Sequence, residues 1–103
     1  MVKYYKSVIQ GADNMITFPI SKSARQFGYI IWPPSFNKDF EKELKNAEKV
    51  TIVFNGLNIG EKRIDWKYRR ISIGYKFTRA LPEQVKNFEI EILPNNIIKV
   101  RCI

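Results

Sequence analysis

The sequence predicts a small, mainly β fold with one or two short helices (α+β), laid out as two strand-helix-hairpin repeats. Three observations carry this. The chain has 103 residues, 45% of them hydrophobic, enough for one core and too few for two. Its apolar residues alternate in short runs such as "YIIW", "RISI" and "FEIEIL", the period-two spacing of half-buried strands. Finally, residues 29–40 lie in apolar register with residues 70–81: Ile30 with Ile71, Trp32 with Ile73, Phe36 with Phe77 and Phe40 with Leu81. With three residues removed from the first linker, Val50, Ile52, Phe54 and Ile59 fall on Phe88, Ile90, Ile92 and Ile97.

In chain order, residues 1–28 read as an N-terminal strand, "MITFPI", and a basic turn or short helix, "SKSARQ". Repeat one spans 29–64 and repeat two 69–103, within a single domain of 1–103. In each repeat the first strand is stopped, by Pro33-Pro34 or by Gly74, because proline lacks a ladder donor and glycine frees the backbone. A helix follows in repeat one, capped by Ser35 or Asn37, with Phe36, Phe40, Leu44 and Ala47 on one stripe. Phe77, Ala80 and Leu81 give a shorter helix in repeat two, ended by Pro82. Hairpins turning at Asn55-Gly56 and Pro94–Asn96 close the repeats.

The junction "KRIDWKYRRISIG" (62–74) breaks parity. Ile64, Trp66 and Tyr68 are even while Ile71 and Ile73 are odd, so either a β-bulge at Arg69-Arg70 or a break between two strands must slip the frame. Charge gathers here too. The net charge is +8: residues 61–79 hold seven Lys/Arg against two acids, residues 1–28 four against one, and the rest balance. Such a concentration points to a polyanionic partner. Lys67, Arg69, Arg70, Lys76 and Arg79 are the candidate nucleic-acid contacts, with Lys22 and Arg25 as weaker ones. Arginine can also read guanine edges. Trp66 or Tyr68 can stack on a base, although a core or sheet-face place is the reading preferred for Trp66.

The second repeat, "RRISIGYKFTRALPEQVKNFEIEILPNNIIKVRCI", resembles the AbrB/SpoVT/MazE-type swapped-hairpin domain. Arg70, Ile71, Ile73, Phe77, Arg79, Leu81 and the hairpin from Phe88 to Val100 fit that pattern, while Gly74 stands where proline is usual. Repeat one keeps Pro33 but begins on Tyr29 in place of a basic residue. The resemblance implies a small cradle-loop β-barrel, here a fused pseudo-twofold of two degenerate copies, and a DNA-binding transcription regulator or chromatin-type binder. It leaves room for a homodimer. "MITFPI" can itself be a worn copy of the strand-proline element, which would move the first repeat boundary.

Other chemistries are thinly supplied. The chain has no histidine and one cysteine, Cys102, which removes His-based triads and His-ligated zinc. Cys102 reads as a small apolar strand residue. Glu89 and Glu91 with Lys99 are the best material for a metal-dependent nuclease, yet alternating "EIEI" is far more often a strand with a wet face. The glycines of "NGLNIG" lack phosphate-loop spacing. The expectation is a soluble cytoplasmic, non-enzymatic DNA binder without cofactor or membrane partner, with duplex DNA ahead of single strands. The competing expectation is an antitoxin-like or inhibitory module that meets an acidic protein.

Overall fold

A computed structural model describes residues 5–6 and 15–103; positions 1–4 and 7–14 of the 1–28 segment lie outside the described residues. The elements are β1 (Tyr5–Lys6), β2 (Met15–Pro19), α1 (Lys22–Phe27), β3 (Tyr29–Ile31), a 3-10 turn (Pro34–Phe36) entering α2 (Asn37–Leu44), β4 (Lys49–Phe54), β5 (Leu57–Asp65), β6 (Arg70–Ser72), α3 (Tyr75–Arg79), β7 (Asn87–Leu93) and β8 (Ile97–Cys102). The strand order is β1-β2-β7-β8-β4-β5-β6-β3. Apart from the two-residue β1, the strands form a curled, half-barrel sheet. Among the described residues no helix is long and apolar enough to cross a membrane.

Period-two patterning decides which face is covered. Val50, Ile52 and Phe54 of β4, Phe88, Ile90 and Ile92 of β7, and Ile98 and Val100 of β8 are all buried, and their odd or even neighbours are wetter. Each such side chain removed from water contributes about 1.5–3 kcal/mol. Phe36, Phe40 and Leu44 of the 3-10 turn and α2 close one side of this core, and Trp32 stacks flat on Phe40 with centroids 4.2 Å apart.

Turn chemistry fixes the hairpins. Asn55 and Gly56 both take positive φ, 48° and 86°, as a two-residue turn with right-handed strand twist requires. Asn95 and Asn96, at 65° and 57°, turn β7 into β8. The β7–β8 hairpin then lies against β4–β5 through a parallel β4–β8 pairing with Ile52 opposite Ile98, while the other neighbours run antiparallel.

The caps depart from expectation. Phe36 is the residue before α2, and neither Ser35 nor Asn37 caps it with a side chain. Asn37 is engaged elsewhere: its Oδ1 accepts from the Trp32 indole N–H at 3.0 Å and its amide donates to Glu41 at 2.9 Å. α3 stops at Arg79, before Pro82 is reached. By contrast "SKSARQ" is a true helix, α1, whose N-cap Ser21 accepts from the Ala24 N–H at 3.1 Å and whose end is Gly28 in the left-handed region.

Strand-helix-hairpin order does recur, as β3, α2, β4–β5 and then β6, α3, β7–β8. The pairing follows a different logic. α1, not α2, packs on α3, and the strand before each of these two helices pairs with the strand after the other: β2 with β7, β6 with β3. Phe18 faces Phe88 and the Ile20 N–H donates to Lys86 O at 2.7 Å; Ile71 faces Ile30 and the Ile73 N–H donates to Gly28 O at 2.8 Å.

Candidate functional site

The frame slip of the junction is a break between strands, not a bulge. Ile64 pairs with Ile71 and Asp65 with Arg70, so Trp66, Lys67, Tyr68 and Arg69 form the loop of a β5–β6 hairpin. Asp65 Oδ1 accepts from the Tyr68 N–H at 3.2 Å, and Arg69, with φ 53°, makes the return. Both neighbours of Lys67 are aromatic, and they part company. Trp66 turns inward, donating its indole N–H to Ala47 O at 2.8 Å and meeting Trp32 edge-on at 5.7 Å. Tyr68 turns out and stays 54% exposed.

Arg70 and Arg69 also separate. The Arg70 guanidinium lies over two rings, 4.4 Å from the Tyr29 centroid and 4.9 Å from that of Tyr68, with its Nε 3.5 Å from Asp65. Lys67 Nζ is 5.4 Å from the Tyr68 ring, and Phe27 is 6.4 Å from Tyr29. Arg69 instead donates from Nε to Trp32 O at 3.3 Å, and lines a different concavity with Pro33 and Pro34.

A second cluster sits where α1 meets α3. Lys22, Arg25, Gln26 and Arg79 line a shallow concavity of about 290 Å³. Arg25 is half-buried, and its guanidinium donates to Leu81 O at 3.1 Å and to Val85 O, which ties down the 80–85 loop. Arg79 donates from Nε to Gln26 O at 2.9 Å and lies 4.5 Å from the Tyr75 ring. Thr78, fully buried, donates its hydroxyl to Arg25 O at 2.7 Å. Lys22 and Lys76 are exposed.

Of the seven expected contacts, then, Lys22, Lys67, Lys76 and Arg79 offer charge outward, and Arg70 does so from within its stack. Arg25 and Arg69 hold backbone carbonyls. The aromatics around them, Phe27, Tyr29 and Tyr75, were not among the expected contacts. A signal for them exists: each lies within a few residues of a basic one, and Tyr75 with Arg79 has the i, i+4 spacing of helix neighbours.

Glu89, facing outward on β7, is 3.1 Å from Arg101, and Glu91 stands opposite Lys99. Burial pushes the Cys102 thiol up to about 11, against a smaller downward pull from its hydrogen bond with Asn55 and from Arg25. At pH 8 the thiolate fraction is therefore well below that of an ordinary, solvated thiol. Iodoacetamide should label Cys102 in the native protein far more slowly than in urea-unfolded protein, as read by mass spectrometry; equal rates would contradict a desolvated thiol. Comparisons with protein-family models, curated proteins and solved structures gave no match.

Proposed function

We propose that the protein is a small, basic, non-enzymatic DNA-binding protein of AbrB-like type, and that α1, α3 and the β5–β6 loop form its DNA-facing surface. One observation carries this reading: Lys22 and Gln26, one turn apart on α1, and Arg79, remote in sequence on α3, line one concavity at the α1–α3 contact. Phosphate is the ligand such cations recognise without sequence. The paired crossings of β2 with β7 and of β6 with β3 support the resemblance, with the repeat units moved to start at β2 and β6. In that reading "MITFPI" is the first copy of the strand element: Ser21, immediately before α1, answers to Gly74, immediately before α3, and Pro19 answers to Ser72. The protein would then act as a transcription regulator or chromatin-type binder.

Binding of labelled duplex and single-stranded oligonucleotides across a salt series tests it. The logarithm of affinity should fall linearly with the logarithm of salt, with a slope of about −0.9 per phosphate neutralised on duplex and about −0.7 on single strands. Lys22→Ala and Lys76→Ala should each flatten that slope by about one contact while leaving the melting temperature in place. No binding of either oligonucleotide at about 50 mM salt would end the proposal.

A further inference from the structure

The proposed surface carries more than charge. Five large apolar or aromatic side chains are exposed among the described residues, and the three aromatic ones, Phe27 (54%), Tyr68 (54%) and Tyr75 (49%), all belong to it. They are joined contact by contact: Tyr75 to Arg79, Arg79 to the Gln26 carbonyl next to Phe27, Phe27 to Tyr29, and Tyr29 through Arg70 to Tyr68. Rings linked in this way, each partly exposed, form a patch that a partner with flat aromatic faces can cover.

Resting on the reading of this surface as DNA-facing, we infer that it takes unpaired bases: the preferred ligand is a single-stranded nucleic acid, whose bases stack on Phe27, Tyr68 and Tyr75. The chemistry favours this over a duplex. In a duplex the base faces are already stacked on one another, so an exposed ring gains no partner there unless a step is opened, at a cost. A single strand presents each base face together with a phosphate, which matches rings interleaved with cations. The cations divide two tasks between them. Arg70 against Tyr29 and Tyr68, and Arg79 against Tyr75, hold the rings in place, which lowers the ordering cost of stacking. Lys67, Lys22 and Lys76, exposed beside them, are positioned for the backbone phosphates. The β5–β6 loop and the two helices thus form one track for an extended strand.

The test compares four fluorescent oligonucleotides of about 15 units, within the usual site size for such surfaces: oligothymidylate, oligouridylate, an abasic strand of equal charge, and a duplex. Anisotropy titrations should show a base-bearing single strand bound about tenfold more tightly than the abasic strand and the duplex. Phe27→Ala, Tyr68→Ala and Tyr75→Ala should each lose about tenfold on the single strand with the salt slope unchanged, while Tyr68→Phe retains binding. A slope that stays put separates lost stacking from lost charge. Oligothymidylate against oligouridylate tells DNA from RNA, and either satisfies the inference. Duplex or abasic strand bound as tightly as the base-bearing strand, with silent aromatic variants, would overturn it and leave the phosphate-binding proposal standing. Absence of binding to all four would overturn both.

Discussion

Replacing Gly28 with alanine should cost about 2–5 kcal/mol of stability, because two penalties fall on one methyl group. Gly28 ends α1 at φ 78°, in the left-handed region where a side chain is disfavoured by about 1–2 kcal/mol. An added Cβ would also sit 2.2 Å from the Gly74 carbonyl carbon and 2.3 Å from the Tyr75 nitrogen. Those are backbone atoms at the start of α3 and have no rotamer by which to yield. Moving them breaks the hydrogen bonds by which Gly28 O holds the Ile73 and Gly74 N–H groups, at 2.8 and 3.2 Å. Gly56 provides the control. Its φ of 86° carries the same conformational penalty, but an added Cβ there meets nothing within 4 Å. In thermal melts followed by circular dichroism, Gly56→Ala should lower the midpoint by about 4–8 °C and Gly28→Ala by about three times as much. Equal shifts would mean that the α1–α3 approach is looser than the geometry states. Since the Lys22 and Arg79 cluster depends on that approach, Gly28→Ala should also lose oligonucleotide binding at temperatures where Gly56→Ala keeps it.

Local chemistry was legible in the sequence wherever the cause lay within a few residues. Asn55-Gly56 and Pro94–Asn96 named their hairpins, "SKSARQ" marked the basic turn or short helix that is α1, and the parity change between Tyr68 and Ile71 marked a slip of frame that is the β5–β6 turn. Failures arose where the deciding partner was remote. Short strands hold two apolar positions each, so "YIIW" and "RISI" align by period alone; in the fold Ile30 and Ile71 are cross-strand partners. The apolar stripe of α2 is visible in sequence, whereas the contact of α1 with α3 is not. Arg25 shows the same limit in the site. It reads as one more surface cation, yet its guanidinium is bound to carbonyls 56 and 60 positions away. Arg69 and Arg70 are adjacent and alike in sequence, but Arg69 closes the loop at positive φ and reaches Trp32 O, while Arg70, the first residue of β6, lies over Tyr29.

Trp32→Ala should be comparably severe, at about 3–5 kcal/mol, a large share of the 5–15 kcal/mol that ordinarily holds a domain folded. Trp32 is fully buried, lies flat on Phe40 at an interplanar angle of 6°, and meets the edge of Trp66. Alanine would leave a void walled by rings too rigid to fill it, and would leave Asn37 Oδ1 without its indole donor. Trp66→Ala removes a half-buried ring at the margin of the same cluster, together with one hydrogen bond to Ala47 O, and should cost less. Urea titrations of the two variants should therefore rank Trp32→Ala well below Trp66→Ala in midpoint, with Trp32→Phe between wild type and both. The reverse order would place the centre of the core elsewhere. The effect reaches the surface through backbone. Trp32 N–H donates to Arg69 O at 3.0 Å and Trp32 O accepts from Arg69 Nε, so the residue that anchors the aromatic core also fixes the loop bearing Lys67 and Tyr68. A variant that retains enough structure to be purified should accordingly lose affinity for single strands before it loses its cooperative melt, since the loop is released from β3 before the sheet comes apart.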